Sequence, residues 1–172
     1  ADVDKAFKKD LLGTIKAMGA TGKAGEIVKI ATLGRTAAPA LVAVGVGPTP
    51  GKGEMYDAEA LRRGVGAAVR SLSGAAARVA TALADANGDG DLDTVRAVAE
   101  GAHLGGYTFS RYRSNAVPKF RPVGSVVLVV KDPRDKQVRA TTDRAAVIGE
   151  AVALARDLVN TAPGDLRPDA FA

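Results

Sequence analysis

The sequence has no cysteine, no tryptophan and a single histidine, and aromatic residues make up only 4% of its 172 positions. Without cysteine, the chain forms no disulfide, offers no thiol nucleophile and provides no thiolate ligand to a metal. One histidine without cysteine is also a poor basis for a zinc site. Valine, leucine, isoleucine and alanine must therefore fill the core, because large aromatic side chains are too few to do so.

Long hydrophobic segments are also missing. The longest apolar run, Val126 to Val130, is far shorter than the roughly 20 residues that a membrane-spanning helix needs. The sequence does not open on a charged segment followed by an apolar one, as a secretory signal peptide does. We therefore predict a cytoplasmic protein with no membrane partner, long enough for one domain with a substantial core.

The formal net charge of +5 would allow binding to a polyanion. The basic residues are dispersed, however, and the nearest approaches to clusters are Arg62 with Arg63, Arg111 with Arg113, and Lys119 with Arg121. A nucleic-acid-binding surface concentrates its positive charge on one face. We therefore interpret these residues as parts of solvated helix faces.

The spacing of apolar residues alternates between that of helices and that of strands. It predicts helices over residues 2–18, 57–72 and 92–112, and a final helix that begins at Thr142 or Asp143. Residues 26–33 and 77–83 are predicted to be short strands, and the apolar runs 41–46 and 125–131 to be strands covered on both faces. The sequence thus predicts an α/β domain with a parallel or mixed sheet.

The final helix has a regular apolar face, which we predict to be its buried face. The residues of this face recur every three or four positions: Val147, Ile148, Ala151, Leu154, Ala155 and Leu158. Earlier in the chain, Gly64 and Gly66 each cost their helix about 1 kcal/mol relative to alanine, so we expect close packing against a neighbour there. His103, at the border of the next helix's apolar face, is predicted to be a partly exposed packing residue.

A glycine-rich loop follows the second predicted strand. Residues 45–53 (GVGPTPGKG) resemble a phosphate-binding P-loop, which requires G-x-x-x-x-G-K followed by Ser or Thr. Here the spacing from Gly47 to Lys52 is one residue short, and Gly53 replaces the hydroxyl residue. Two prolines in the loop each remove a backbone donor. We therefore predict a strand-to-helix loop that binds no nucleotide.

Residues 85–93 (DANGDGDLD) match the first half of a calcium-binding loop, with oxygen ligands at alternate positions and glycine at the sharp turn. A complete loop has a bidentate glutamate at position twelve. Here that position is Arg96, and Glu100 comes four residues too late. Over a calcium site, we favour an acidic turn in which Asp91 or Asp93 caps the next helix.

Three stretches have the order and spacing of a known family. Residues 57–74 (DAEALRRGVGAAVRSLSG) and 100–112 (EGAHLGGYTFSRY) have the form of helices, and the second fits the pattern EGA-x-L-x-x-Y-x-F-x-x-Y. Residues 156–163 (RDLVNTAP) end a helix in the way typical of a connection to a further domain. Together these stretches resemble the N-terminal domain and linker of the leucyl (cytosol) aminopeptidases, with Ala162 where the family usually shows proline. The resemblance covers nearly the whole sequence.

The resemblance implies a macro-domain-like α/β fold with a mixed sheet of about four to five strands flanked by helices. Residues 1–142 would form this N-terminal domain. Because α/β domains often begin with a strand, one interpretation is that its first strand lies outside the sequence. Residues 143–172 would form a connecting helix and linker toward a C-terminal peptidase domain that is not among these residues.

In the family, the peptidase domain holds two divalent metal ions, zinc or manganese, through lysine, aspartate and glutamate side chains, and a metal-bridging water attacks the peptide bond. The motifs that carry these ligands, Asp-Ser/Thr-Gly-Gly and NTDAEGR, do not occur here. Because Lys52 is not followed by the first of them, we reject it as a catalytic lysine. We assign no catalytic, cofactor-binding or metal-binding residue to this chain, and we expect the active site beyond Ala172.

The resemblance also implies peptide substrates, assembly with sister subunits into homohexamers and, for some members, DNA binding. The preferred interpretation is thus a non-catalytic assembly or regulatory domain of a leucyl aminopeptidase. The alternative is a stand-alone binding module for DNA or an ADP-ribose-like ligand, although a shared fold is weak support for a shared function. A stand-alone enzyme is disfavoured, because the carboxylates are mostly explained as helix caps and solvated faces.

Overall fold

The computed structural model describes residues 3–8, 10–88, 90–113 and 121–167, and these form an α/β structure. The elements in chain order are α1 (Val3–Ala6), α2 (Leu11–Ala17), β1 (Ile27–Ala31), β2 (Ala40–Val44), α3 (Ala58–Leu72), β3 (Arg78–Thr81), a short 3₁₀ helix (Leu83–Asp85), α4 (Leu92–Gly106), β4 (Ser125–Leu128) and α5 (Lys136–Asn160). The predicted α/β class is therefore confirmed. None of the described helices is both long and apolar enough to cross a membrane.

The four described strands form two pairs and not the single mixed sheet that we predicted. β1 and β2 are antiparallel, whereas β3 and β4 are parallel and are connected through α4. The segment after β2 remains with the first pair, since the Gly45 N–H donates to the Glu26 carbonyl (2.8 Å) and the Gly47 N–H to the Gly22 carbonyl (3.0 Å). These donors are thus not free to join β2 to β3.

The strands are also less covered than the apolar runs predicted. The interior residues of β2 and β4 are half-buried, and Val129, just after β4, is 50% exposed. The prediction that these runs are covered on both faces is therefore wrong for the described residues. Apolar composition identified the strands, but it did not determine how many layers lie over them.

The N-terminal segment forms two short helices where the apolar spacing predicted one. Lys8 adopts a left-handed conformation (φ 57°), which an α-helix cannot contain. The chain turns there, Phe7 becomes buried at 5% exposure, and α2 begins at Leu11, whose N–H donates to the Asp4 carboxylate (3.1 Å). Burial of the one aromatic ring in this segment accompanies the break.

The core lies between α3 and α4 and the strands beside them. Its buried residues are Leu61, Val65, Val69, Ala84, Val98 and Ala102. α3 begins where predicted, because the Asp57 carboxylate accepts a hydrogen bond from the Ala60 N–H (3.0 Å). The expected close contact is also present. A Cβ on Gly66 would lie 3.1 Å from the Gly101 carbonyl oxygen, so the two helices approach backbone to backbone.

The ends of α4 and α5 differ from the predictions. α4 stops at Gly106, and residues 107–110 that we had placed in the helix have no regular structure. α5 begins at Lys136 and not at Asp143, because the Asp135 carboxylate caps it by accepting from the Gln137 N–H (2.6 Å). Residues 136–141, which lie before the predicted start, therefore belong to the helix.

The face of α5 that we predicted to be buried is the exposed one. Val138, Ala145 and Gly149 are buried against the domain, whereas Val147 is 66% and Leu154 61% exposed. Small residues let α5 lie close to α4: a Cβ on Gly149 would lie 2.7 Å from the His103 Cγ atom, which is closer than van der Waals contact allows. The apolar face therefore points away from the domain, on the opposite side of the helix.

Candidate functional site

The segment after α4 carries two tyrosines that reach the junction between α5 and the linker. α4 ends at Gly106, and Tyr107 has an extended backbone (φ −65°, ψ 132°) that turns the chain away from the helix axis. Tyr112 follows in the same irregular segment. Two of the three tyrosines of the chain are thus placed beside residues 156–165.

Tyr107 holds the last turn of α5. Its hydroxyl donates to the Asp157 carboxylate (2.8 Å) and accepts from the Asn160 side-chain amide (3.1 Å). The Arg156 guanidinium lies 4.0 Å from the centroid of the tyrosine ring, in cation–π contact with its face. One aromatic side chain therefore contacts three residues of the RDLVN segment at once.

Tyr112 holds the linker itself. Its hydroxyl donates to the Asp165 carboxylate (2.8 Å) and accepts from the Ala162 N–H (2.7 Å). The Phe109 ring supports it, with the two ring centroids 5.6 Å apart. We call Tyr107 and Tyr112, with their partners in residues 156–165, the tyrosine clasp.

The linker is folded into a turn. The Thr161 hydroxyl donates to the Asp157 carbonyl (2.6 Å), which closes the end of α5. The Ala162 carbonyl then accepts from the N–H groups of Asp165 (2.9 Å) and Leu166 (3.1 Å). The N–H of Ala162 is thus bonded to Tyr112 and its carbonyl is bonded within the turn, and both bonds restrain the direction of the chain after α5.

The surroundings of Tyr107 favour its neutral phenol. Partial desolvation, followed by the hydrogen bond to Asp157, raises the pKa of Tyr107 above its ordinary value of 10.0. A group whose pKa is raised by folding contributes its stabilisation fully below the unfolded pKa and loses it as the pH rises through the folded pKa. The Tyr107 contact is therefore intact at neutral pH and is weakened only above about pH 10.

The glycine-rich loop at residues 45–53 uses three of its backbone donors within the domain. Besides the bonds from Gly45 and Gly47 that extend the first strand pair, the Gly51 N–H donates to the Glu54 carboxylate (2.9 Å). A negative side chain thus occupies a position where a phosphate cradle would place its anion. This arrangement supports our interpretation of residues 45–53 as a connecting loop.

The calcium-like loop is used to attach the segment before α3. The Asn87 side-chain oxygen accepts from the Tyr56 N–H (2.7 Å), and its amide donates to the Tyr56 carbonyl (3.1 Å) and the Thr94 hydroxyl (2.8 Å). Asp91 caps α4 as predicted, since its carboxylate accepts from the Thr94 N–H (2.8 Å) and hydroxyl (2.6 Å). The Thr94 hydroxyl lowers the pKa of Asp91, as expected of a capping carboxylate. Asp89 lies outside the described residues.

His103 is exposed on α4 with its side chain over Gly149 of α5. It contributes to the wall of an open cavity of about 390 Å³ between α4, α5 and β4, whose other walls include Tyr107 and Glu150. Its position is that of the packing residue we predicted.

Two of the three sequence stretches that carry the family resemblance meet in the clasp. Residues 107–112 and 156–165 are about 50 positions apart in the chain, yet the clasp joins them directly. Spacing alone did not predict this contact, because we had placed both tyrosines inside α4. The available signal was compositional: in a chain with few aromatics, Tyr107, Phe109 and Tyr112 lie within six positions of one another.

Fold and clasp together define the class of protein, an α/β domain whose long last helix leads into a linker that is bonded back onto the domain. Residues 1–116 match the sequence model described as "Cytosol aminopeptidase family, N-terminal domain". The chain therefore belongs to the cytosol aminopeptidase family, and the resemblance read from its three stretches is confirmed.

Individual relatives agree with this assignment. A probable cytosol aminopeptidase of Streptomyces griseus is 41% identical over an alignment that covers 99% of this chain and 34% of the relative. One of Rhodococcus jostii is 42% identical, with 99% and 32% covered. The structure of the bottromycin maturation enzyme BotP in complex with Mn is similar with a TM-score of 0.71 and 31% identity, over 92% of this chain and 31% of that one. The chain thus spans about a third of the length of these relatives.

Proposed function

We propose that this chain is the non-catalytic N-terminal part of a two-metal leucyl aminopeptidase that removes N-terminal residues from peptides, and that it orients the peptidase domain. The tyrosine clasp is the observation that supports the orienting role. It bonds Ala162 and Asp165, which lie in the linker after α5, to Tyr112 of the domain. A domain attached through such a linker is held in a narrower range of directions than one on a flexible tether.

The metal ions that the family implies do not fit the described residues. Nowhere in residues 3–8, 10–88, 90–113 and 121–167 do three or more His, Asp or Glu side chains come together in a way that could hold a metal. Asp91, the best placed acid of the calcium-like loop, is engaged by Thr94. We therefore propose that the two metals, zinc or manganese, are bound by the peptidase domain, and we derive no catalytic step for this part of the chain.

The remaining parts of the proposal concern location and assembly. The parent is proposed to be cytoplasmic, which the names of the relatives support, and to form homohexamers, which only the family resemblance supports. The division into residues 1–142 and 143–172 stays a prediction. Since α5 begins at Lys136, that division falls inside the helix, and we propose that α5 serves as both the last helix of the domain and the connector.

DNA binding is not part of the proposal, because no contact among the described residues favours it. Arg62 and Arg63, the densest basic pair, are both bonded to the Glu59 carboxylate on α3, and Arg62 also pairs with Glu100 of α4 (3.0 Å). These ion pairs leave the basic pair with little net positive charge to offer a phosphate backbone.

The proposed activity is tested by assaying the release of leucine from leucyl-anilide substrates with manganese or zinc present. We expect metal-dependent turnover by the longer protein that contains the peptidase domain, and none by the 172-residue chain. Metal-dependent turnover by the shorter chain would place catalytic residues within it and contradict the proposal, as would an inactive longer protein.

The orienting role predicts a specific effect of removing the clasp hydroxyls. In the longer protein, the double variant Tyr107→Phe/Tyr112→Phe keeps both rings but loses hydrogen bonds that are each worth about 1 kcal/mol. We expect protease cleavage within residues 161–167 to accelerate by about tenfold, because cleavage follows the population of the open linker. Tyr56→Phe is the matched control, since the described hydrogen bonds of Tyr56 come from its backbone. Equal cleavage rates in all three proteins would show that the clasp does not hold the linker.

A further inference from the structure

α5 carries an apolar stripe on the side that faces away from the domain. We define the α5 stripe as Val147, Ala151, Leu154 and Leu158, bordered on one side by Ile148, Ala155 and Val159. Val147 is 66%, Leu154 61% and Val159 86% exposed, and these are among the most exposed large apolar side chains described. Scattered apolar residues on a surface are ordinary, but a continuous stripe marks a surface that binds something.

The spacing of the stripe is that of a helix that packs against a second helix. Its four central residues recur at intervals of four, three and four positions, which is the heptad spacing of a coiled-coil seam. The opposite face of α5, with Ala145 and Gly149, already packs on α4. The spacing therefore suits a helix that lies between two layers, and the described residues supply only one of them.

The charges along the stripe argue against a second copy as the partner. Asp143 and Glu150 are exposed and lie one heptad apart along one edge of the stripe. In a symmetric antiparallel pair of α5 helices, the same surface of each copy would meet the other. The acidic edges would then face each other, and like charges across a helix interface are destabilising.

The position of the stripe favours a partner on the same chain. Val159 lies next to the end of α5 at Asn160, and the clasp holds residues 162–165 immediately beyond it. Whatever follows Arg167 is thus tethered a few residues from the stripe, at an effective concentration of about millimolar or above. The relatives have about two thirds of their length outside the region that this chain matches, which is ample for a docking partner.

We propose that the α5 stripe is the docking surface for the peptidase domain that follows the linker. The partner element is an apolar surface of that domain, such as a helix, with basic residues opposite Asp143 and Glu150. The clasp then sets the direction of the linker, and the stripe sets the rotation of the peptidase domain about it. This inference rests on the proposed function.

The test compares one pair of substitutions in two lengths of protein. Val147→Gln/Leu154→Gln replaces two exposed apolar side chains by polar ones of similar size. In the 172-residue chain we expect an unchanged thermal midpoint, because neither side chain is buried there. In the longer protein we expect cleavage within residues 161–167 to rise by about tenfold or more, because two apolar side chains are lost from a buried contact. Leu12→Gln on α2, where Leu12 is 63% exposed, is the matched control and should change neither protein.

The outcomes separate this inference from the proposed function. Unchanged cleavage of the longer double variant, in a protein that still hydrolyses leucyl-anilide, would overturn the docking surface and leave the proposed function standing. A longer protein without aminopeptidase activity would overturn the proposed function, whatever the cleavage shows. Concentration-dependent dimers of the 172-residue chain that disappear in Val147→Gln/Leu154→Gln would identify a second copy as the partner, and would also overturn the inference.

Discussion

Replacing Gly105 by alanine is expected to destabilise the domain by about 3 kcal/mol, at the upper end of the range for added volume in a packed interior. A Cβ at this position would lie 2.6 Å from the Cα of Gly66 and 2.8 Å from its carbonyl carbon. These are backbone atoms of α3, so no side chain can rotate to make room. α3 and α4 must instead move apart, which loosens the contact of Leu61 and Val65 with Val98 that forms the centre of the core.

The neighbouring glycine provides the control. A Cβ on Gly106 would meet only the Val69 Cγ1 atom at 3.9 Å, an ordinary van der Waals distance. Gly106→Ala should therefore leave stability within about 1 kcal/mol of the unchanged protein, with any gain coming from the better helix propensity of alanine. Urea denaturation of the two variants measures the difference. For Gly105→Ala we expect a lower urea concentration at the unfolding midpoint, with an unchanged slope of the unfolding free energy against urea. Equal midpoints for the two variants would show that the helices are not in backbone contact.

α3 shows what the sequence determines well. Its extent over residues 57–72 was predicted from local pattern, and in the structure Asp57 caps it while Leu61, Val65 and Val69 are among its buried residues. The extent of this helix could be predicted because the capping hydrogen bond joins residues only three positions apart and the apolar stripe meets one continuous core. Local signals and tertiary contacts agree along this helix.

α5 shows why the same method fails elsewhere. Its spacing indicated correctly that Val147, Ala151 and Leu154 form one apolar face, but spacing does not say what covers that face. Alanine and glycine fill the side that packs on α4, and their low hydrophobicity made that side look solvent-exposed. A helix between two layers has two buried faces, and the more apolar one can belong to a partner that the described residues do not include.

The clasp and the break at Lys8 depend on contacts that local pattern does not contain. Tyr107 and Tyr112 find their partners about 50 positions further along the chain, and the left-handed Lys8 accompanies the burial of Phe7. The family resemblance marked both segments of the clasp as important without showing that they touch. Their juxtaposition is therefore information that the fold adds to the motif.

Replacing Asn87 by alanine is expected to cost about 2 kcal/mol, the usual penalty for leaving partly buried polar groups without partners. The side chain bonds both backbone groups of Tyr56 and the Thr94 hydroxyl, all three within a partly buried region. Alanine removes these bonds together. The Tyr56 backbone then loses its attachment to the start of α4, which loosens a residue that packs against the core cluster.

The same loop supplies the control and decides between the two interpretations of its acidic residues. Asp85, which is exposed, opens the calcium-like pattern, so Asp85→Ala should change stability by less than about 0.5 kcal/mol if the loop is a structural turn. If it were a calcium site, added calcium would raise the denaturation midpoint of the unchanged protein by mass action, and both variants would abolish that rise. We expect the midpoint to be the same with calcium and with chelator, and only Asn87→Ala to lower it. That result would show that the side-chain oxygens of Asn87 and Asp91 serve the hydrogen bonds that attach Tyr56 to the start of α4. The same lone pairs cannot also bind a cation.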